Sequence, residues 1–347
     1  TWGCVRARPP LGRGIGAPVG TERLPSLAMR PRTVLTAAVA ALSTAAVLAG
    51  PAAAASKAPK TCNGAKALCN RTFDKVVLPG AHNAMSSAAL KWLIPNQSVD
   101  MPHQLAFGVR ALLFDTHYGV KRPDGKIEEH PDDGTISGVA NTYFCHEYCV
   151  LGSQPLVEGL AGIAKWLKKN PNNVLLFDNE DYISPKDFQA AMQKSGLEKY
   201  VYRGATGKTW PTLKTMITKH QQIVVLAEHK AAGVSWYHTA YDGIVQETNY
   251  TWETPSLITD PANWAASCAP NRGGTTGPLF LMNHWSPKIP PSVPNPSASA
   301  AVNATSVLVG RAKACKKVRG KLPTILAVDQ ATFGGVVQAA KQLNGVK

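Results

Sequence analysis

Eight short apolar runs recur along the chain between residues 76 and 329, and amphipathic or turn-rich segments separate them. The runs are Val76–Pro79, Ala111–Asp115, Tyr143–His146, Val174–Asp178, Ile223–Ala227, Gly243–Glu247, Leu279–Asn283 and Thr324–Asp329. Most are unbroken apolar stretches, which is typical of strands buried on both faces. Eight strand–crossover units over about 280 residues favour a closed parallel barrel over an open sheet. The pattern therefore predicts an α/β fold, a TIM-like (β/α)8 barrel built as a single domain.

Helical patterns lie between several of these runs. Gln154–Lys169 carries one apolar stripe, formed by Leu156, Leu160, Ile163 and Leu167. Ser184–Ser195 begins with an N-cap serine and has Pro185 at the first helical position. Further helices are predicted over Trp210–Lys219, Val302–Val318 and Thr332–Leu343. The proline-rich stretch Ser286–Ala300 is interpreted as a long loop rather than a domain linker, because the eighth strand lies beyond it.

The first 55 residues have the pattern of a targeting segment. Residues 1–28 are rich in Gly, Pro and Arg and are interpreted as an upstream extension. A basic start at Met29, an uncharged run over Thr33–Gly50 and an alanine-rich end at Ala55 predict a secretory signal peptide over 29–55. The alternative is a membrane anchor, but the run is short and rich in Ala and Thr. We expect a secreted, extracellular protein whose barrel occupies residues 56–347.

Charge and cysteine content both change once this segment is set aside. The whole chain has 37 Lys and Arg, 22 Asp and Glu, and a formal charge of +15; residues 56–347 carry +10. Cys4 also lies in the first segment, which leaves six cysteines. Six cysteines in an exported protein suggest three disulfides. The sequential pairing 62–69, 145–149 and 268–315 is the simplest of the fifteen possible connectivities, because the first two pairs close short loops.

The positive charge raises the question of nucleic acid. Basic residues are scattered, and the densest cluster, over 311–321, has helical spacing. It is interpreted as a solvated helix face or as a surface that attracts anionic lipid headgroups. It lacks interleaved aromatic residues for stacking on bases, so we expect no nucleic-acid partner.

Polar residues stand where the predicted strands end. They are His82 and Asn83, Asp115 and His117, His146, Asp178 and Glu180, Glu228, Glu247, Asn283 and Asp329. Because the carboxyl ends of barrel strands meet at one face, we expect these side chains to converge on one pocket. Histidines with carboxylate neighbours suit proton transfer near neutral pH. The signatures of serine hydrolases, nucleotide-binding loops and zinc proteases are absent from the sequence.

Several motifs resemble one known family. Val77-Leu78-Pro79-Gly80-Ala81-His82-Asn83 resembles the first catalytic box of the phosphatidylinositol-specific phospholipase C X-domain superfamily. Gly108-Val109-Arg110-Ala111-Leu112-Leu113-Phe114-Asp115 and Phe144-Cys145-His146 resemble its second and third boxes. Later segments follow in the same order, so the resemblance spans residues 72–335. It implies a distorted TIM-like barrel, similar to secreted microbial PLC-like phosphodiesterases.

The resemblance also implies residue roles. His82 is expected to be the general base that takes the inositol 2-hydroxyl proton, and His146 the general acid for the leaving oxygen. Asp329 matches the carboxylate that orients the first histidine, and Asp115 matches the acidic residue of the second box. The implied reaction gives a cyclic inositol phosphate from a phospholipid at a membrane surface. Further contacts to substrate are predicted for His117, Glu228, Asn283 and Arg110, and we expect a monomer.

Metal dependence and substrate stay open at this point. Metal-independent relatives have an arginine where His117 stands, and calcium-dependent relatives have a glutamate where Leu113 stands. Either the protein needs no cofactor, or Ca²⁺ is held by Asn83, Asp115 and Glu180. One alternative is a related metal-dependent barrel phosphodiesterase that acts on glycerophosphodiesters or sphingomyelin. Another is a non-catalytic barrel that binds lipid or glycan.

Overall fold

The computed structural model describes residues 58–207, 209–229, 231–288 and 293–347. The predicted upstream extension 1–28, the predicted signal peptide 29–55 and Cys4 lie outside these residues.

Strands of the described part of the chain form one sheet. In chain order they are β1 (Leu78–Ala81), β2 (Ala111–Lys121), β3 (Ile127–His130), β4 (Thr142–Cys145), β5 (Ser153–Pro155), β6 (Leu175–Tyr182), β7 (Ile223–Ala227), β8 (Tyr237–Thr239), β9 (Val245–Glu247), β10 (Leu279–Asn283) and β11 (Ile325–Val328). Eight of them lie in the order β8-β7-β6-β2-β1-β11-β10-β9. All seven neighbouring pairs in this path are parallel. The predicted α/β barrel of eight parallel strands is confirmed, as a curled sheet with helices.

The barrel is distorted, as the family resemblance implied, because the sheet stays open between its two edge strands. In the described residues no ladder joins β8 to β9. Only residues 240–244 separate these two strands. A parallel pair needs a crossover of about a dozen residues or more, so this connection is too short to place β8 and β9 side by side as parallel partners. The full closure that the sequence pattern favoured is therefore replaced by a gap at this point.

One predicted barrel strand belongs elsewhere. The segment predicted over Tyr143–His146 forms β4, which pairs antiparallel with the outer half of β2. β2 continues beyond the barrel and carries β3 and β4 as an antiparallel extension, and β5 pairs with β4. The missing barrel strand is β8, whose three residues contain no apolar run that the sequence pattern could detect.

The barrel strands are buried on both faces, as predicted. Leu112 and Phe114 of β2 belong to the larger apolar cluster, which includes the buried faces of the surrounding helices. Ala111 and Leu113 belong to a second cluster, which fills the barrel interior and its amino-terminal end. Gly80 allows β1 to lie close to β11, because a Cβ there would stand 3.0 Å from Ile325 Cγ2 and 3.1 Å from Leu326 O, which is a tight contact.

The helices largely follow the predicted segments, although the helix Pro296–Val302 begins inside the stretch Ser286–Ala300 that was interpreted as a loop. They are α1 (Met101–Phe107), α2 (Leu156–Lys169), α3 (Pro185–Lys194), α4 (Leu213–Thr218), α5 (Ser256–Thr259), α6 (Pro296–Val302), α7 (Thr305–Arg319) and α8 (Val336–Asn344). The four stripe residues of α2 are all buried. Ser184 caps α3, accepting a hydrogen bond from the backbone N–H of Asp187. No helix in the described ranges is both long and apolar enough to cross a membrane.

The basic helix α7 is not the fully solvated face that its spacing suggested. Arg311 is completely buried. Its guanidinium donates to the side chain and carbonyl of Ser267 and to the carbonyl of Asn283. Burial lowers the pKa of Arg311 to about 9. Arg311 therefore holds α7 against the barrel, and Arg319 adds hydrogen bonds to the carbonyl of Cys268 and the side chain of Gln246.

Three disulfides cross-link the chain in the predicted sequential pairing. They join Cys62 to Cys69, Cys145 to Cys149, and Cys268 to Cys315. The first and second close loops of only a few residues, whereas the third ties α7 to the segment before β10.

Candidate active site

The side-chain alternation of the strands explains why polar residues gather at one end of the barrel. Interior positions recur every second residue, so Leu176 is followed on the same face by Asp178 and Glu180. On the other barrel strands, every second residue after an interior apolar residue likewise leads to a polar side chain at the carboxyl end. These are His82, Asp115, Glu228, Glu247, Asn283 and Asp329. The strands therefore change from an apolar interior to a polar interior at their carboxyl ends.

These residues line a cavity with two adjoining compartments. The inner compartment, about 120 Å³, includes His82, Asn83, Asp115, Asp178, Glu180, Glu228, Tyr250, Arg272, Asn283 and Trp285. The outer compartment, about 590 Å³, includes His146, His117, Glu147, Tyr182, Trp252 and Asp329. Both share His82, Asp115, Glu180, Tyr250 and Trp285. The predicted convergence of strand-end residues is therefore present for most of the set.

His82 and Asp329 form the central pair of this cavity. His82 Nδ1 lies 2.8 Å from Asp329 Oδ1. The backbone N–H of His82 also donates to the carbonyl of Val328, which ties the end of β1 to the end of β11. A carboxylate on Nδ1 selects the tautomer with a proton there, so Nε2 is free to accept a proton.

His146 reaches the cavity from the antiparallel extension, not from the end of a barrel strand as predicted. It follows β4 inside the short loop closed by the Cys145–Cys149 disulfide. Burial lowers the pKa of His146, and Coulomb repulsion from His82 lowers it further. The two histidines therefore share one electrostatic environment although their supporting strands differ.

Two buried aspartates form the acidic floor of the cavity. Burial raises the pKa of Asp115 well above its usual range, and repulsion from Glu180 and Glu228 adds to the rise. Burial and repulsion from Glu228 raise the pKa of Asp178 in the same direction. Within the described part of the chain, neither carboxylate oxygen of Asp178 has a hydrogen-bond partner. Both environments favour the neutral carboxylic acid.

Arg272 provides the cation of the inner compartment. Its guanidinium donates to Glu228 Oε2 at 2.5 Å, to Glu247 Oε1 at 2.6 Å and to Tyr241 Oη at 2.8 Å. Although burial opposes it, these carboxylate contacts raise the pKa of Arg272. Sequence reasoning missed Arg272, because it lies in the irregular segment before β10, where no strand end or motif marks it. Glu247 did carry a signal, since it ends a predicted strand.

The remaining predicted substrate contacts have different outcomes. Asn283 lines the inner compartment and donates to Glu247 Oε2 and to the carbonyl of Thr248. His117 lines the outer compartment and stacks on Tyr182 with ring centroids 4.4 Å apart. Burial lowers the pKa of His117 to about 4, so this ring is neutral at physiological pH and supplies no positive charge to a phosphate.

The structure does not bring Arg110 to this cavity, which corrects its prediction as a substrate contact. Arg110 precedes β2, at the opposite end of the barrel from His82. Its guanidinium donates to the carbonyls of Leu105 and Val109 and lies 5.1 Å from the ring centroid of Trp166. The second-box motif therefore holds a structural arginine at the amino end of the strand.

The predicted calcium ligands come together in the inner compartment. Asn83, Asp115 and Glu180 all line the inner compartment. Glu180 accepts a hydrogen bond from the Tyr182 hydroxyl. Within the described ranges, no group of three His, Cys, Asp or Glu side chains is arranged to hold a metal ion. Calcium takes about six to eight oxygen ligands, and the three predicted residues supply only part of such a set.

A curled sheet of eight parallel strands with polar residues at their carboxyl ends has the architecture of TIM-barrel enzymes. Comparison with known proteins narrows this class. The PI-PLC X 1 family model matches residues 68–344. The chain belongs to the PI-PLC X family.

Individual relatives are consistent with this assignment. PI-PLC X domain-containing protein 1 of Arthroderma benhamiae is 28% identical over 302 residues, which cover 82% of this chain and 90% of that protein. An uncharacterized secreted protein of the same fungus is 27% identical over 310 residues, covering 83% of this chain and 64% of the relative. A phosphatidylinositol-specific phospholipase C from Staphylococcus aureus, containing pentafluoro-Phe, superposes with a TM-score of 0.51 at 14% identity. That superposition covers 80% of this chain and 94% of the bacterial enzyme and supports the fold.

Proposed function

We propose that this protein is a secreted phosphodiesterase of the PI-PLC type that cleaves the headgroup phosphodiester of phosphatidylinositol at a membrane surface. The observation that carries the proposal is the His82–Asp329 pair, at 2.8 Å, in one cavity with His146. Three disulfides and the signal-like segment 29–55 support export.

The reaction needs two proton transfers. His82 Nε2 takes the proton of the headgroup 2-hydroxyl, and the freed oxygen attacks phosphorus. The bond from phosphorus to the diacylglycerol oxygen breaks, and the protonated form of His146 supplies the proton to that leaving oxygen. The products are a cyclic inositol phosphate and diacylglycerol. The attacking hydroxyl is already part of the substrate, so positioning and proton shuttling supply most of the rate enhancement.

The protonation state of Asp115, in the acidic floor of the cavity, affects how the phosphate binds. A phosphodiester is an anion, and ionised carboxylates around it would repel it. The raised pKa of Asp115 favours its neutral acid, which removes one such repulsion. In that form the carboxyl O–H is a hydrogen-bond donor toward a phosphate oxygen. Asp329 instead stays paired with His82 and stabilises the imidazolium that forms there.

The rim of the cavity supports action at a lipid surface. Leu93 and Ile94, in the loop that follows β1, are 66% and 40% exposed. The Leu93 N–H donates to Leu151 O, so this loop rests against the segment that follows the Cys145–Cys149 disulfide. Tyr148, inside that disulfide loop, is 56% exposed. Exposed apolar side chains around a site mark a surface that meets an apolar partner, and a phospholipid membrane fits both the position and the substrate.

The test is a substrate panel on purified protein. Phosphatidylinositol, sphingomyelin and glycerophosphodiesters are offered in vesicles or micelles, with EDTA in one arm and calcium in another. We expect release of cyclic inositol phosphate, and its loss in His82→Ala. His103→Ala is the matched control, because His103 is an exposed residue of α1 whose ring contacts only Asp100 among the described ion pairs.

Other outcomes would redirect the assignment. Turnover of choline lipids or glycerophosphodiesters alone, dependent on calcium, would favour the related metal-dependent phosphodiesterase. No turnover of any substrate, with retained binding to vesicles, would indicate a non-catalytic lipid-binding barrel. Unchanged activity in His82→Ala would overturn the mechanism.

A further inference from the structure

Trp285 covers one face of the imidazole of His82. The two rings are parallel to within 5°, and their centroids are 3.7 Å apart. Trp285 follows β10 and lines both compartments of the cavity. No motif in the sequence marks Trp285, so this contact is a product of the tertiary structure.

The residues on both sides of Trp285 are held firmly. The preceding His284 is fully buried, its backbone N–H donates to Ala327 O, and its Nε2 lies 2.9 Å from Val302 O. The following Ser286 is buried, and its hydroxyl donates to the carbonyl of Trp252. The indole is therefore presented to His82 by a backbone that is fixed at both ends.

Two contacts at right angles then define the orientation of His82. Asp329 binds Nδ1 in the plane of the ring, which sets the direction of Nε2. Trp285 lies against the face of the ring, so rotation out of that plane is blocked. A base must lie within hydrogen-bond reach of the proton that it takes, and this combination holds Nε2 toward the cavity.

The stack also has an electrostatic consequence. An aromatic face attracts a cation, and tryptophan does so most strongly among the aromatic side chains. His82 is neutral before the reaction and becomes a cation as it takes the hydroxyl proton. The attraction therefore grows toward the transition state, and an interaction of that kind raises kcat.

We propose that Trp285 is a positioning residue that clamps the imidazole of His82 and stabilises its protonated form during the reaction. The inference rests on the proposed function, because it assigns His82 the role of general base. It adds a tryptophan on the barrel rim to the histidine–aspartate pair.

The kinetic test compares two substitutions. Trp285→Leu removes the aromatic face, whereas Trp285→Phe retains a smaller one. We expect Trp285→Leu to lower kcat about tenfold with KM changed less than about threefold, and Trp285→Phe to retain at least about a third of the wild-type kcat. Trp264→Leu is the control, because Trp264 packs against Gly310 of α7 and lines neither compartment. Equal kcat for Trp285→Leu and the wild type, with the wild type active, overturns the inference.

A second measurement tests the contact between Trp285 and His82 even if the protein has no phosphodiesterase activity. A protonated imidazole quenches an indole stacked on it, so acidification should lower the tryptophan fluorescence of the wild type in a step that requires both rings of the stack. The step should be absent in both Trp285→Phe and His82→Ala. The other titratable or charged groups that line the cavity with His82 are Asp115, His117, His146, Glu147, Asp178, Glu180, Glu228, Glu253, Arg272 and Asp329. A step that survives either substitution, or no step in the wild type, overturns the inference.

Discussion

The side-chain amide of Asn96 donates to Asp329 Oδ1 at 3.1 Å, and this is the same carboxylate oxygen that His82 Nδ1 contacts. Asn96 is 3% exposed and stands at the end of the apolar rim loop that contains Leu93 and Ile94. The histidine–aspartate pair is therefore supported from the β1 loop as well as from β11. Asn96 is part of no recognised motif, yet it helps to hold Asp329 in the site.

Replacement of Asn96 by alanine should slow the reaction without unfolding the protein. A hydrogen bond to a charged group contributes about 1.5–3 kcal/mol, which corresponds to a loss of about 10- to 100-fold in kcat/KM if the bond serves to hold Asp329 in place. Steady-state kinetics on phosphatidylinositol vesicles measures the effect. Asn141→Ala, in an exposed loop, is the matched control. Wild-type kinetics in Asn96→Ala would show that Asp329 needs no support from this loop.

Asp329→Asn should be more damaging. An amide at this position can donate to Nδ1, which favours the tautomer whose Nε2 carries the proton and cannot accept another. By analogy with the catalytic triad of serine proteases, we expect kcat to fall by about 10³- to 10⁴-fold. A thermal melting curve checks that the fold is intact. A loss of less than about tenfold would argue against His82 as the base.

The protonation of His146 can be measured directly. Burial lowers its pKa and the neighbouring His82 lowers it further. We expect the NMR titration midpoint of His146, identified by loss of its signal in His146→Gln, to lie below the usual value of about 6.5. Removal of the repulsion in His82→Ala should move that midpoint upward. A midpoint at or above 6.5 in the wild type would contradict the burial seen here.

Asp178→Asn should stabilise the protein near neutral pH. The raised pKa of Asp178 means that folding favours its protonated form. The associated stability is fully present below the unfolded-state pKa of about 3.9 and is lost as pH rises through the folded-state pKa. We therefore expect the amide to raise the free energy of unfolding by about 1–3 kcal/mol at pH 7.5, and by less at pH 4.

Denaturant titrations at the two pH values measure this difference. Asp242→Asn, at an exposed position, is the control and should change stability little. A destabilised Asp178→Asn variant at pH 7.5 would mean that the ionised carboxylate is accommodated in the native protein.

Arg311→Ala should destabilise the fold strongly. It removes three hydrogen bonds to Ser267 and Asn283, and a fourth contact to His284 Nδ1, from a fully buried site. The acceptors that remain would be buried without partners, so we expect a loss of about 3 kcal/mol or more. Lys313→Ala, exposed on the same helix, should change stability by less than about 0.5 kcal/mol. Similar melting temperatures for the two variants would contradict this role.

Much of the barrel could be predicted because burial on both faces leaves a local signal. The strands β1, β2, β6, β7, β9, β10 and β11 coincide with predicted runs, and the start of α3 follows from Ser184 and Pro185. β8 could not be found in this way, because three residues with two polar side chains have no detectable period. β4 misled the prediction, since an apolar run indicates burial but not which partner strand covers it.

In the candidate site, too, some residues could be predicted from local patterns and others could not. By itself, the sequence determined the fold class and the strand-end residues His82, Asp115, Glu228 and Asn283, because side-chain alternation and parallel strand direction are local properties. It made the sequential disulfides the simplest of fifteen pairings, and the structure decided among them. Tertiary structure decided the rest. It decided that Arg110 lies at the opposite end of the barrel, that Arg272 enters the cavity from an irregular segment, and that Trp285 stacks on His82. The contacts of Arg272 and Trp285 join residues far apart in the chain, and they depend on how loops pack around the barrel rather than on any pattern within them.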